Sequence, residues 1–378
     1  MTKQSGENNK TRIVRMFVPY VSKSAVERVS NTLQSGYIGE GPVVAEFEKG
    51  FNTFIGTRYS LALSSCTAAL HLALAVCNVG PGDEVITTAQ TMAATSHTVL
   101  AHYAKPVYAD IQYLTGNIDP QDIEHRITAR TKAIVAVHWA GYLCDMEKIL
   151  VIAGKHKIAV IEDAAHAIGA TYKGSPVGTI SPFTCFSFQA VKHITTGDGG
   201  MLCCTQEAAY HKARRLRWYG IDRKNRKPSD LGEPIWDMAE TGYKYHMNDI
   251  AASMGVEHLR ELSDILERRR LIARIYRQEL KDVPGVTLFE SRDDRKSAHW
   301  LFTMHVDNRL EFVRMLKSRG VEASVVHLRI DANTVFGPLR EDLVNLGRFN
   351  KSQISIPVHN MLTDKDMEHI IRSIKGGW

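Results

Sequence analysis

The chain has no apolar run approaching the ~20 residues needed to span a bilayer, which excludes a helical membrane protein. Its six cysteines (Cys66, Cys77, Cys144, Cys185, Cys203 and Cys204) include no Cys-x-x-Cys pair and no Cys/His metal spacing. Reduced, buried thiols in a cytoplasmic protein without a metal are the expectation. No helix-turn-helix, internal repeat or low-complexity segment is evident. The net charge of +6 is mild for 378 residues; it calls for no nucleic acid and suits a small anionic ligand. Residues 1–14 lack the apolar centre of a signal peptide and are expected to form a polar, disordered tail. With 44% hydrophobic and 23% charged residues, the composition is that of an ordinary soluble globular protein. The length exceeds one small core, so a large domain over 15–262 and a smaller one over 263–378 are expected.

Ser22 or Ser24 can cap a helix carrying Val26, Val29 and Leu33, stopped by Gly36. Short apolar or β-branched runs then alternate with helical stretches. Tyr59–Leu63, Glu84–Thr88, Pro106–Asp110, Ala133–Val137, Ile158–Ile161, Phe183–Phe188 and Gly200–Cys204 give about seven strands. Continuous apolar strands between helices argue for a mostly parallel α/β sheet covered on both faces. Beyond a long helix with Ile265, Ile272 and Ile275 on one face, the elements shorten. Val286–Phe289, Leu301–Val306 and Glu322–Val326 read as strands, and Arg309–Ser318 and Asp364–Lys375 as helices, of an α+β second domain.

Four segments carry chemistry. Lys192 lies in Phe186-Ser-Phe-Gln-Ala-Val-Lys192, ahead of Thr195-Thr-Gly-Asp-Gly-Gly200 and between two strands. By itself it reads as a surface hairpin lysine; buried, its amine loses charge and becomes a nucleophile that makes Schiff bases with carbonyls. Ser64-Ser-Cys-Thr-Ala-Ala69 is a small-residue turn from strand to helix. It is an ordinary connection or a phosphate cradle using backbone amides and the helix dipole. Asp163, in Ile161-Glu-Asp-Ala-Ala-His166, ends a strand where ligand-binding residues of parallel sheets collect. It caps a helix or pairs with a buried cation such as a protonated pyridine nitrogen. His166 is a core histidine or a ring contact. Gly242-Tyr-Lys-Tyr-His-Met-Asn-Asp249 opens a helix with aromatic and basic residues, either as capping or as an anion contact.

Together with Ser35-Gly-Tyr-Ile-Gly-Glu-Gly-Pro42 and Phe47-Glu48, these segments resemble the DegT/DnrJ/EryC1/StrS family of pyridoxal-phosphate sugar aminotransferases, over nearly the whole chain. The resemblance implies an aspartate-aminotransferase-like fold (fold type I) and a homodimer whose active sites are shared. It makes Lys192 the Schiff-base lysine and proton shuttle, pairs Asp163 with the pyridine nitrogen and places His166 at the ring hydroxyl. The phosphate would lie on Thr67 and Ala68 amides and Ser187. The chain departs from the family pattern in several places. Cys66 stands where glycine is usual, and Met92 where an aromatic residue covers the ring. Lys244, reaching over from the partner subunit, stands for an asparagine and His246 for an arginine.

The implied reaction moves an amino group from L-glutamate, leaving 2-oxoglutarate, to a keto sugar on a nucleotide diphosphate, most simply a 4-keto-6-deoxy sugar. A 3-keto sugar, a keto-inositol, a small phosphorylated ketone, or a non-catalytic regulator are the competing readings. Tyr37, His193, Arg217, Tyr219 and His327 are the candidate substrate contacts. The basic stretch from Lys212 through Arg214, Arg215, Arg217, Arg223, Lys224 and Arg226 to Lys227 is either a diphosphate path or a solvated surface.

Overall fold

The computed structural model describes residues 13–223 and 225–378. Seven strands form the central sheet: β1 (Tyr59–Leu63), β2 (Glu84–Thr88), β3 (Lys105–Ala109), β4 (Thr131–Val137), β5 (Ala159–Asp163), β6 (Phe183–Ser187) and β7 (Gly200–Cys204). Their order is β1-β7-β6-β5-β4-β2-β3, and β7 alone runs against the rest. Successive side chains alternate between two cores. Leu61, Leu63, Val85, Ile161 and Cys185 point to one. Ala62, Ile86, Val160 and Phe186 point to the other, with Phe47, Phe51 and Phe188. Coverage on both faces is why these strands read as unbroken apolar runs.

Topology collects the functional segments at one edge. The chain leaves β1, β2, β4, β5 and β6 at their carboxyl ends. β7, being antiparallel, begins there, with Gly200 opposite Leu63 and Ser187. A Cβ on Gly200 would lie 2.4 Å from the Ser65 carbonyl, so only glycine lets the lysine block close on the Ser65–Cys66 turn. After β1, the helix Cys66–Val76 is capped by Ser65 Oγ, which accepts from the Ala68 N–H at 3.0 Å.

The second domain carries a three-stranded antiparallel sheet of β8 (Val286–Leu288), β9 (Phe302–Val306) and β10 (Gln353–Ile356). The helices Arg309–Ser318 and Asp364–Lys375 form as expected. The expected strand Glu322–Val326 does not: only Val321 and Ser324 make isolated bridges there, and Gln353–Ile356 takes the third place. The expected division at 262/263 falls inside one unbroken helix, Asp249–Leu280. Its Ala252, Val256 and Leu262 pack in the large-domain core, and its Ile272, Tyr276 and Leu280 in the small-domain core. The expected tail lies mostly outside the described residues. Val14, however, is buried and bonds the Gly320 carbonyl at 2.8 Å, so it belongs to the fold. The helix Lys23–Ser35 has its expected cap and stop, Ser22 and Gly36, but buries Ala25 and Thr32 and leaves Val26 and Leu33 exposed.

Candidate active site

A cavity of about 330 Å³ opens at the carboxyl edge of the sheet. Of the residues singled out from sequence, Cys66, Thr67, Met92, Asp163, His166, Ser187, Lys192 and His327 line it. Ala68 is just beneath, and its amide is already taken by Ser65. The N–H groups of Cys66 and Thr67, at the start of the same helix, meet no acceptor among the described residues. They remain available to an anion, where the helix dipole favours negative charge. Ser187 sits beside them at the end of β6.

Lys192 lies on the cavity wall with its Nζ 3.6 Å from the centre of the Trp300 ring. Burial lowers its pKa from 10.5 to about 8, against the pull of Cys66 and Asp163. Asp163 is 6% exposed; it accepts from Thr95 Oγ1 at 2.8 Å and from the Ala165 N–H at 3.2 Å. Among the described residues no cation lies within ion-pair distance of it. Burial accordingly raises its pKa, although Thr95, Ala165 and Lys192 pull the other way. A buried carboxylate with neutral donors alone is incomplete. A protonated ring nitrogen is the group that would complete it, so the site fits pyridoxal phosphate. His166 stacks on Trp300 with ring centres 3.8 Å apart. Burial and the neighbouring Lys192 hold its pKa well below 6.5, so the ring is neutral. Burial also pushes the Cys66 thiol well up, which keeps it protonated. His327 is lowered to about 4 by burial and by Lys192.

Other candidates lie elsewhere. His193 is buried and its Nε2 bonds the Ala298 carbonyl at 2.9 Å, because the residue after Lys192 turns to the opposite side of the loop. Arg217 is buried in ion pairs with Glu40 and Glu48. In the same stretch Arg214 pairs with Asp222, Arg215 with Glu240 and Arg223 with Glu40. Internal carboxylates thus pair four of the eight basic residues; Lys224 is outside the described residues. Tyr37 and Tyr219 are exposed and line no part of this cavity. Lys244 does not reach it either; its Nζ lies 3.2 Å over the Trp218 ring. At the helix start, Asn248 caps its own helix, while Asp249 accepts from the Gly41, Val43 and Val44 amides and so caps the helix Pro42–Ile55.

Sequence reasoning missed Trp300, Thr91 and Thr95. Thr91 and Thr95 bond each other at 2.8 Å and support Asp163. Trp300 fixes its indole by donating from Nε1 to the Val191 carbonyl at 2.9 Å. Its only sequence signal is a tryptophan just ahead of a strand, far from the lysine. Trp300→Ala should lower turnover about 5- to 30-fold, the range of a desolvated cation–π contact, while Trp300→Phe keeps a ring face and stays within about threefold. Steady-state kinetics on the two variants check this.

The model of the DegT/DnrJ/EryC1/StrS aminotransferase family matches residues 19–375. The spore coat polysaccharide biosynthesis protein SpsC of Bacillus subtilis is 38% identical over 371 residues, 95% of each chain. The UDP-4-amino-4-deoxy-L-arabinose–oxoglutarate aminotransferase of Shewanella sediminis is 33% identical over 375 residues, 94% of this chain and 96% of its own. Among solved structures, the sugar aminotransferase CalS13 of Micromonospora echinospora superposes with a TM-score of 0.92. It is 34% identical and is covered completely by 97% of this chain.

Proposed function

The chain belongs to the DegT/DnrJ/EryC1/StrS aminotransferase family and is a pyridoxal-phosphate-dependent sugar aminotransferase of amino-sugar biosynthesis, and we propose that it moves the amino group of L-glutamate to a nucleotide-linked keto sugar. The observation that carries this reading is one cavity holding a lysine with a depressed pKa and a buried carboxylate that lacks a cation. The Shewanella relative, whose name joins a UDP sugar to oxoglutarate, supports the choice of both substrates.

Pyridoxal phosphate, when bound, supplies an aldehyde that condenses with amines and a protonated ring that takes up the electron pair of a broken C–H bond. Asp163 would hold the ring nitrogen protonated, with Thr95 and the Ala165 amide fixing the carboxylate. His166, neutral and stacked on Trp300, would orient the ring from its hydroxyl side. The Cys66 and Thr67 amides and Ser187 would hold the phosphate, and Met92 would cover the ring through sulfur and methylene contacts. Lys192 Nζ, an amine for much of the time near pH 8, takes the proton from the donor carbon and returns one on the other side of the transfer. His327 faces the space left for the sugar.

The protein is proposed to work in the cytoplasm as a homodimer. Among the described residues no helix is long and apolar enough to cross a membrane. Lys244 lies off its own cavity, and Val26, Leu33 and Ile38 are exposed apolar side chains. A partner would cover such a face and receive Lys244 at its phosphate. Loading the enzyme with amine from glutamate and offering a ketone panel tests the substrate. Nucleotide-linked keto sugars should discharge the amine at least about tenfold faster than free keto sugars, because each lost diphosphate contact is a charge-assisted hydrogen bond. Equal rates with a keto-inositol or a small phosphorylated ketone would refute it.

A further inference from the structure

A second, smaller cavity of about 50 Å³ lies at the junction of the two domains. Trp139, Ala140 and Tyr142 form its large-domain wall, and His299 and Leu301, on either side of Trp300, its small-domain wall. It is therefore separate from the catalytic cavity but touches the same segment.

Its charge is one-sided. Arg277, from the helix Asp249–Leu280, faces it half-buried and makes no ion pair or hydrogen bond among the described residues. Burial lowers its pKa, and no carboxylate opposes that. Two further arginines of the helix attend the loop carrying His299. Arg269, fully buried, donates only to the carbonyls of His299, Trp300 and Val358. Arg270 donates to the Ser297 carbonyl and pairs with Glu267 outside. Among the described residues the one acid lining the cavity is Glu290, and both its oxygens are taken by Arg292. Among the described residues the His299 ring meets no hydrogen-bond partner. Burial, with repulsion from Arg270, Arg277 and Arg269, takes its pKa to about 3. His299 also holds a left-handed backbone, φ +48°, a conformation disfavoured for a residue with a side chain. An unpartnered guanidinium drawn partly out of water into a cavity leaves donors free for an anion, since such a cation is normally paired.

We propose that this junction cavity is a binding site for a small oxyanion, gripped by the Arg277 guanidinium, with Ser297, whose Oγ accepts from the His299 N–H at 3.0 Å and keeps its O–H to donate, beside it. The planar guanidinium fork matches phosphate or carboxylate oxygens in pairs. At about 50 Å³ the cavity has room for a few water-sized groups, enough for one small oxyanion. The occupant touches both domains and the neighbours of Trp300, so it ties the domain junction to the wall of the catalytic cavity.

The test uses the pyridoxal-phosphate-loaded enzyme, whose own phosphate cradle is filled. Thermal unfolding is followed while inorganic phosphate or acetate is added, in separate arms at constant ionic strength, to wild type and Arg277→Gln. At tenfold the dissociation constant the wild-type Tm should rise by about 1–3 °C, and the variant's should not move. A rise with phosphate alone identifies a phosphate site; a rise with acetate alone identifies a carboxylate site. No rise in either arm, or the same rise in both proteins, overturns the proposal. Should Arg277→Gln fail to fold, wild-type crystals soaked in phosphate or in acetate, separately, must show the ion's density beside Arg277 in at least one case; no density in either overturns the proposal equally.

Discussion

Lys192→Ala should lose at least about 10⁴-fold in turnover, because one side chain is asked both to bond the cofactor and to move the proton. Its fold should survive. In the cofactor-free protein the Lys192 pKa falls from 10.5 to about 8, so the folded state binds this proton less well than the unfolded chain does. That cost is fully present below pH 8 and disappears as pH rises through 10.5. Cofactor-free Lys192→Met should therefore be at least as stable as wild type at pH 7, and its advantage should shrink toward pH 10. Calorimetry at the two pH values, beside initial rates, checks both halves. A loss of activity that followed a fall in stability would instead mean that Lys192 is structural.

Asp163→Asn should lower turnover by about 10²–10³-fold, the effect of removing one member of a buried ion pair. The amide keeps the shape and can still meet Thr95 Oγ1, but it carries no charge to hold a ring nitrogen protonated. Burial by the protein alone already raises the pKa of Asp163, so the cofactor-free variant should not be destabilised. The defect belongs to the loaded enzyme alone. Kinetics with saturating pyridoxal phosphate separates lost chemistry from weak cofactor binding, and a Tm measured without cofactor separates both from misfolding.

The large domain was legible because both faces of its sheet are buried, which writes each strand as an apolar run and leaves the turns visible. The candidate lysine segment was legible only through the family resemblance: alone Lys192 reads as a hairpin lysine, and the structure adds that Ser65–Thr67, Asp163 and Ser187–Lys192 meet at the strand ends. The small domain was harder. Gln353–Ile356 alternates polar and apolar residues over four positions, too few for a period, and Val325-Val326 at the end of 322–326 imitates a strand. Arg217 misled because its partners, Glu40 and Glu48, lie far upstream, and pairing is a tertiary fact. Val26 and Leu33 misled because helical spacing tells which residues share a face and not what covers it. Trp300 could not be found from the lysine, since only the docking of the second domain brings its ring to the amine.

Borohydride reduction of the loaded enzyme, followed by peptide mass spectrometry, tests the central claim most directly. The account predicts loss of the yellow colour and a single stable pyridoxyl group on Lys192. A pyridoxyl group on any other lysine, or none after reduction, would contradict it.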